Sequence, residues 1–187
     1  MKKVFAILLG GFLLFTTATG FADENSFNQT FKLHGIQFKV ITQGKHLRIS
    51  PSGLKIDNSP IERDIEGVVT GADIGDINVD GSPEIYVYIK GKDKDKDKGS
   101  LIAYSANNKK SLSEIYLPPI PENPKLTKGY RGHDEFMMVE AIVAQRFPVY
   151  KDNDSDPNPT GGWRQLQYKL VQGEASWVLK LDKVIEF

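Results

Sequence analysis

The 187 residues include 24 basic and 24 acidic side chains, 40% hydrophobic residues and no cysteine. A chain of this length suits one domain that buries a core of its own. The balanced charge gives no electrostatic reason to expect nucleic acid or an anionic membrane as a partner. The lack of cysteine excludes disulfides, thiol chemistry and a lipid anchor on a cysteine.

Residues 1–22 have the pattern of a signal peptide. Two lysines at the start are followed by a short apolar run over residues 4–15, and small residues near Ala22 form a cleavage site. The apolar run is shorter than a membrane-spanning helix requires. We therefore expect cleavage near Ala22, export to the periplasm and a single mature domain at residues 23–187, with a net charge of about −2.

The rest of the chain predicts an all-β protein. Period-two alternation between turn signals is typical of strands, and we find no amphipathic helix of three turns. Residues 111–116 fit either a single turn or a strand. We expect a single antiparallel β-sandwich or barrel-like domain with short connections. The predicted strands cover residues 27–33, 36–42, 46–50, 65–70, 84–90, 100–104, 136–147, 164–170 and a segment starting at 177.

The predicted strand at residues 84–90 has one apolar face. Ile85, Val87 and Ile89 share that face. The other face carries Glu84, Tyr86, Tyr88 and Lys90. One apolar and one polar face predict an antiparallel sheet that is covered on one side only. Together with residues 100–104, this strand predicts a β-hairpin.

The tip of this hairpin carries alternating charges. Such a run is usually a solvated, flexible loop. A tip that projects from a rigid β scaffold is also where a partner-binding loop would lie, and sequence physics alone does not separate the two interpretations. The tip consists of Lys92, Asp93, Lys94, Asp95, Lys96, Asp97 and Lys98, with Gly99 after it.

The turn before the hairpin resembles the first half of a calcium loop. Asp76, Asn78 and Asp80 place oxygen ligands at every second position, Gly81 stands at the bend, and Glu84 closes a shorter loop than an EF-hand has. The alternative is an ordinary turn in which Asp and Asn cap backbone amides. The candidate calcium ligands are thus Asp76, Asn78, Asp80 and Glu84, and no other cofactor is expected.

Enzymatic activity is not expected. The sequence His133-Asp134-Glu135 offers a base and acids, but the chain has no nucleophile-elbow motif, and adjacent residues of a strand point to opposite faces. The three histidines lack the paired spacing of a zinc site. An enzyme stays open only because a pair of distant carboxylates cannot be picked out from sequence.

Five blocks of the chain carry a resemblance to a known family: residues 99–108, 111–119, 131–136, 145–148 and 159–165. They resemble, in the same order, the periplasmic inhibitors of invertebrate-type (i-type) lysozyme of Gram-negative bacteria. The resemblance extends from about Gly67 to the C-terminus. It implies an all-β periplasmic protein that often forms homodimers and protects bacteria by inserting a loop into the substrate cleft of a host lysozyme.

The inhibitory loop departs from the family pattern. The family carries Ser-Gly-x-Tyr directly before the Gly-Ser-Leu block, whereas this chain has Asp95-Lys96-Asp97-Lys98. Because lysozymes cleave with a pair of carboxyl groups, we expect Lys98 to act as a charged plug, with Ser100 and Tyr104 supporting the hairpin. The alternative hypothesis is a non-inhibitory binding or structural module of the cell envelope, stabilised by calcium.

Overall fold

A computed structural model describes residues 26–91, 98–120 and 123–187. Over these residues the chain is almost entirely β-structure, so the predicted fold class is confirmed. The elements are β1 (Asn28–Leu33), β2 (Ile36–Gln43), β3 (His46–Ser52), β4 (Ile61–Asp64), β5 (Val68–Gly75), β6 (Glu84–Lys90), β7 (Gly99–Asn107), β8 (Ser111–Tyr116), α1 (Pro124–Thr127), β9 (Glu135–Val139), β10 (Ile142–Pro148), β11 (Trp163–Gln172) and β12 (Trp177–Glu186).

The strands form a small sheet and a large one. The small sheet has the order β1-β2-β3-β4, and the large sheet has the order β5-β6-β7-β8-β12-β11-β10-β9. Neighbouring strands are antiparallel, except that β8 and β12 pair in parallel through Ile115 and Tyr116. The large sheet curls into a nearly closed barrel, in which β9 comes back against β6 and β7.

Strand β6 lies at the centre of the molecule and is buried on both faces. The predicted alternation is present, but the expectation of a polar, uncovered face is wrong. Glu84 and Tyr86 are 0% exposed and Tyr88 is 8% exposed, although their side chains are polar. Tertiary packing explains this burial, because the small sheet covers one face of β6 while the curl of the large sheet encloses the other.

The two faces of β6 belong to two separate cores. The first core lies between the sheets, where side chains of β2 and β3 pack against the apolar face of β6 and against β7. The second core fills the interior of the barrel. Burial of aliphatic and aromatic side chains on this scale is the main stabilising contribution to a fold without disulfides. Fully buried examples are Phe38 and Ile49 in the first core, and Tyr86, Phe147 and Leu166 in the second.

Two further segments differ from the expectations, and the structure decides a third. The long strand predicted over residues 136–147 is two strands, because Glu140 adopts a positive φ of 53° in an exposed two-residue turn. Val139 pairs with Ile142 across this turn, so Met138 and Val143 share a face and the predicted single parity is broken. Residues 111–116, left open between turn and strand, form β8. Strand β4 was not predicted, since it is short and mostly exposed along the edge of the small sheet.

Helical structure is confined to a single four-residue turn in the described ranges. Asn123 caps α1 by accepting a hydrogen bond from the backbone N–H of Lys125, and Pro124 occupies the first helical position. None of the helical residues described forms a segment of the length and apolarity that crossing a membrane requires.

Candidate functional site

The hairpin of β6 and β7 keeps its register to the end of the strands. Lys90 pairs with Gly99 and Ile89 with Ser100. Of the predicted partner-binding residues, Lys98 and Ser100 are exposed, whereas Tyr104 is 5% exposed and belongs to the core between the sheets. Tyr104 therefore supports the hairpin from within. The candidate loop residues Lys92, Asp93, Lys94, Asp95, Lys96 and Asp97 lie outside the described residues.

The base of the hairpin is fixed against the segment before β9. Gly99 approaches this segment so closely that a Cβ at its position would overlap the carbonyl oxygen of Asp134. Only glycine permits this approach of two backbones. The strand that follows the charged tip is thus locked in place one residue after Lys98.

Asp134 stands at the centre of a buried polar network. The Tyr130 hydroxyl donates a hydrogen bond of 2.8 Å to its Oδ2, and Gln145 Nε2 donates one of 2.7 Å to its Oδ1. The Tyr168 hydroxyl in turn donates to Gln145 Oε1 at 2.8 Å. Burial raises the pKa of Asp134, while these hydrogen bonds and the charge of Lys98 oppose the rise. The network therefore joins the hairpin base to the barrel interior.

A cleft of about 830 Å³ opens beside this network, where β7 and β8 no longer pair with each other. Ser100 and Leu101 of β7 line one side, and the end of β8 with the proline-rich segment after it lines another. Tyr130, Phe136 and Gln145 also line it. Lys98 lies at its edge, so the hairpin base and the cleft form one continuous surface.

The predicted calcium ligands lie close together in the turn before β6. Carboxylate oxygens of Asp76, Asp80 and Glu84 lie within 4.8 Å of one another. Asp76 accepts hydrogen bonds from the backbone N–H groups of Asp80 (3.0 Å) and Gly81 (2.9 Å), which fold the turn around its carboxylate. Asn78 donates a hydrogen bond of 3.0 Å to Asp80 Oδ2. The fourth predicted residue is thus in the same cluster.

Glu84 is the unusual member of this cluster because it is 0% exposed. Its carboxylate accepts hydrogen bonds from the Ile77 backbone N–H (3.0 Å) and the Ser105 hydroxyl (3.3 Å). Burial, with the nearby charges of Asp80 and Asp76, raises the pKa of Glu84 to about 8. A divalent cation among the three carboxylates would offset this repulsion and favour the ionised form.

Tyr86 adds a second polar group to the same region. It follows Glu84 on the same face of β6, is fully buried, and has a hydroxyl with no hydrogen-bond partner among the described residues. Burial raises its pKa, and the charges of Glu84 and Asp76 raise it further. Buried hydroxyls usually have a partner, so the hydroxyl of Tyr86 is an exception among the described side chains.

The histidines do not converge on one site. His34 contacts Asp76 at 3.5 Å, His46 contacts Asp64 at 3.3 Å, and His133 contacts Asp156 at 3.4 Å. The first contact joins the turn between β1 and β2 to the turn at residues 76–81, which resembles a calcium loop. It therefore links the small sheet to the large one.

Sequence reasoning missed the network around Asp134. Tyr130, Asp134, Gln145 and Tyr168 come from three separate segments, and their spacing carries no pattern that would associate them. Residues 131–136 and 145–148 are blocks of the family resemblance, and His133-Asp134-Glu135 was considered for catalysis, but neither pattern indicates a buried hydrogen-bond network. No family model, curated protein or solved structure matches this chain.

Proposed function

We propose that this chain is an exported inhibitor of lysozyme that inserts the tip of the β6–β7 hairpin into the substrate cleft of the enzyme. The main target that we propose is i-type lysozyme. The function that we propose is binding, without catalytic activity. It rests on the block resemblance from Gly67 onward and on the leader pattern, which lies outside the described residues and makes the periplasm the proposed location. A homodimer, implied by the same resemblance, is part of the proposal.

The fixed base of the hairpin is the observation that favours this function most. Strand β6 is buried on both faces, and Gly99 is held against Asp134 immediately after the charged tip. A loop displayed from a rigid base loses less conformational entropy when it binds, which favours affinity. Protein inhibitors that enter an enzyme cleft gain from this preorganisation.

Charge explains how the tip replaces the family motif. The catalytic carboxyl groups of a lysozyme cleft attract an ammonium group, and Lys98 is the exposed cation next to the locked Gly99. The acidic residues of the tip would be repelled in the same cleft unless a cationic group of the enzyme faces them. Lys98 is therefore the residue to which we assign the attraction.

The test is inhibition of an i-type lysozyme acting on cell-wall substrate by the purified mature protein. We expect inhibition at micromolar excess and a loss of roughly tenfold or more in Lys98→Glu, since a close charge pair contributes about 1.5 kcal/mol or more. Lys39→Glu is the matched control, because Lys39 is an exposed lysine on β2, which belongs to the small sheet.

Two results would contradict the proposal in different ways. Full activity of i-type, chicken-type and goose-type lysozymes in the presence of the protein would remove lysozyme as the target. Equal inhibition by wild type and Lys98→Glu would place the inhibitory surface elsewhere on the scaffold.

A second candidate function is a calcium-stabilised module of the cell envelope. The observation that favours it is the fully buried Glu84, whose carboxylate lies within 4.8 Å of those of Asp76 and Asp80. A cation bound only by the native state raises stability by about 2.7 kcal/mol at 100 times its dissociation constant. For a domain of this size that corresponds to roughly 5–10 °C in melting temperature.

Melting temperature in millimolar calcium and in chelator tests this candidate. We expect calcium to raise the melting temperature of wild type and of the control Asp152→Asn, whose side chain is exposed in another loop, but not that of Asp80→Asn. The same melting temperature with calcium and with chelator would remove the calcium site.

A further inference from the structure

The cleft between the separating ends of β7 and β8 has the dimensions of a small-molecule site. Its volume of about 830 Å³ falls in the range of ligand pockets. Its walls come from β7, β8, β10 and the segments around α1 and β9. Lys98, the last residue of the hairpin tip, also lines it.

The floor of the cleft presents fixed polar groups. Gln145 is 5% exposed, and its side chain is held on both sides, by Asp134 at 2.7 Å and by the Tyr168 hydroxyl at 2.8 Å. An amide nitrogen carries two hydrogens, so Gln145 keeps a second donor after it has bonded to Asp134. Tyr130 is oriented by the same carboxylate. A ligand therefore meets hydrogen-bonding groups whose positions are set before it binds.

The walls combine ring faces with hydroxyl groups. Tyr116 is 54% exposed at the end of β8 and supplies an open aromatic ring, and Phe136 adds a second. Ser100 and Thr127 contribute hydroxyls. Flat apolar faces next to neutral hydrogen-bonding groups match a molecule that is itself apolar on the ring face and polar at its edge.

The net charge of the lining is close to zero. Lys98 and Glu114 are the charged residues that line the cleft over the described part of the chain. Glu114 is engaged by Arg63, whose Nη1 lies 2.7 Å from its Oε1. A phosphate or other polyanion would need more cationic groups than one lysine, and a fully apolar ligand would leave the Gln145 amide hydrogen without an acceptor.

We propose that this cleft binds a short, uncharged saccharide. The C–H faces of the sugar rings pack against Tyr116 and Phe136, and the sugar hydroxyls exchange hydrogen bonds with Gln145, Ser100 and Thr127. This site is independent of lysozyme inhibition, because it uses the concave surface beside the hairpin base and requires no insertion of the tip.

Isothermal titration of the mature protein with triacetylchitotriose, maltotriose and cellotriose, in the absence of lysozyme, tests the site. We expect at least one trisaccharide to bind with a dissociation constant of about 0.1–1 mM. Tyr116→Ala should weaken binding roughly tenfold or more. Phe187→Ala is the matched control, because Phe187 is also an exposed aromatic residue, at 62%, and does not line the cleft.

A second variant keeps the test independent of any effect on folding. Ser100→Ala removes one hydroxyl from an exposed position on β7 and should weaken the same trisaccharide several-fold without changing the melting temperature. Failure of all three trisaccharides to bind at 10 mM, a concentration about ten times the weakest expected dissociation constant, would overturn the saccharide assignment. Binding that is unchanged in both cleft variants, or lost equally in Phe187→Ala, would overturn the cleft as its location.

Discussion

Asp134 shows how one side chain can join a surface loop to the barrel interior. Its carboxylate holds Tyr130 and Gln145 through hydrogen bonds, while its backbone carbonyl meets Gly99 at the hairpin base. Burial raises its pKa chiefly because the ionised form loses hydration, although the two donors compensate in part. The residue therefore carries a cost in stability that the network offsets.

The raised pKa of Asp134 predicts a pH dependence of stability. Between the unfolded-state pKa, about 4, and the higher native-state pKa, the native protein retains a proton that the unfolded chain has lost. The contribution of Asp134 to the free energy of unfolding therefore decreases as pH rises through this window. Chemical denaturation of Asp134→Asn from pH 3 to pH 7 should show a smaller decrease than wild type does.

The same variant should also be less stable at neutral pH. An amide accepts through one oxygen only, so a donor among Tyr130 and Gln145 loses its partner, at a cost of about 1–3 kcal/mol. Asp152→Asn, in an exposed loop, is the control and should follow the wild-type pH profile. An Asp134→Asn profile parallel to that of wild type would contradict the assigned role of the buried carboxyl.

At the scale of the element, the β6–β7 hairpin is held by the burial of β6 before Lys90 and of residues 102–106 in β7. Residues of β6 alternate between the two cores, so each side chain before Lys90 packs on one side or the other. The close approach of Gly99 to Asp134 adds a fixed point where the strand leaves the tip. A side chain at position 99 would have to displace backbone.

Gly99→Ala is therefore expected to destabilise the protein by about 1–3 kcal/mol, the usual cost of overpacking, and to weaken lysozyme inhibition more than its stability loss explains. Gly71→Ala is the control, because a Cβ there would make an ordinary contact of 3.5 Å with the Tyr88 ring. Urea denaturation and inhibition assays measure both effects. Equal stability of the two variants would show that the hairpin base tolerates movement.

At the scale of the whole molecule, β6 makes the two sheets parts of one structure. The core between the sheets and the core inside the barrel share this strand, and His34 reaches across to Asp76 in the turn that precedes it. Two cores on opposite faces of one strand cannot unfold separately without exposing that strand. We therefore expect one cooperative unfolding transition.

Phe38→Ala tests this cooperativity. Phe38 is fully buried in the small sheet, whereas both tryptophans, Trp163 and Trp177, lie in the large sheet. The substitution should cost about 3–5 kcal/mol, and the transition followed by tryptophan fluorescence should shift together with that followed by far-UV circular dichroism. A tryptophan transition that stays at its wild-type denaturant concentration would mean that the sheets unfold independently.

Local patterns in the sequence determined the fold class and the strand β6. Alternation and turn residues are properties of neighbouring positions, so they predicted residues 84–90 with the bounds that the structure has. The pattern that resembles a calcium loop also depends on neighbouring positions only, and its four predicted residues do cluster. Alternation also misled, because apolar residues of one parity run on from 137 to 147 in the sequence. The hairpin of β9 and β10 reverses which parity faces the barrel interior, since Met138 packs there beside Val143.

Only the tertiary structure decided which surfaces are covered and which distant residues meet. The curl of the large sheet buries Glu84 and Tyr86, because a strand cannot encode whether a second layer covers its polar face. The same curl brings Asp134, Gln145 and Tyr168 together and forms the cleft beside Lys98. These contacts join residues far apart in the chain, and their free energy depends on the packing of the whole sheet.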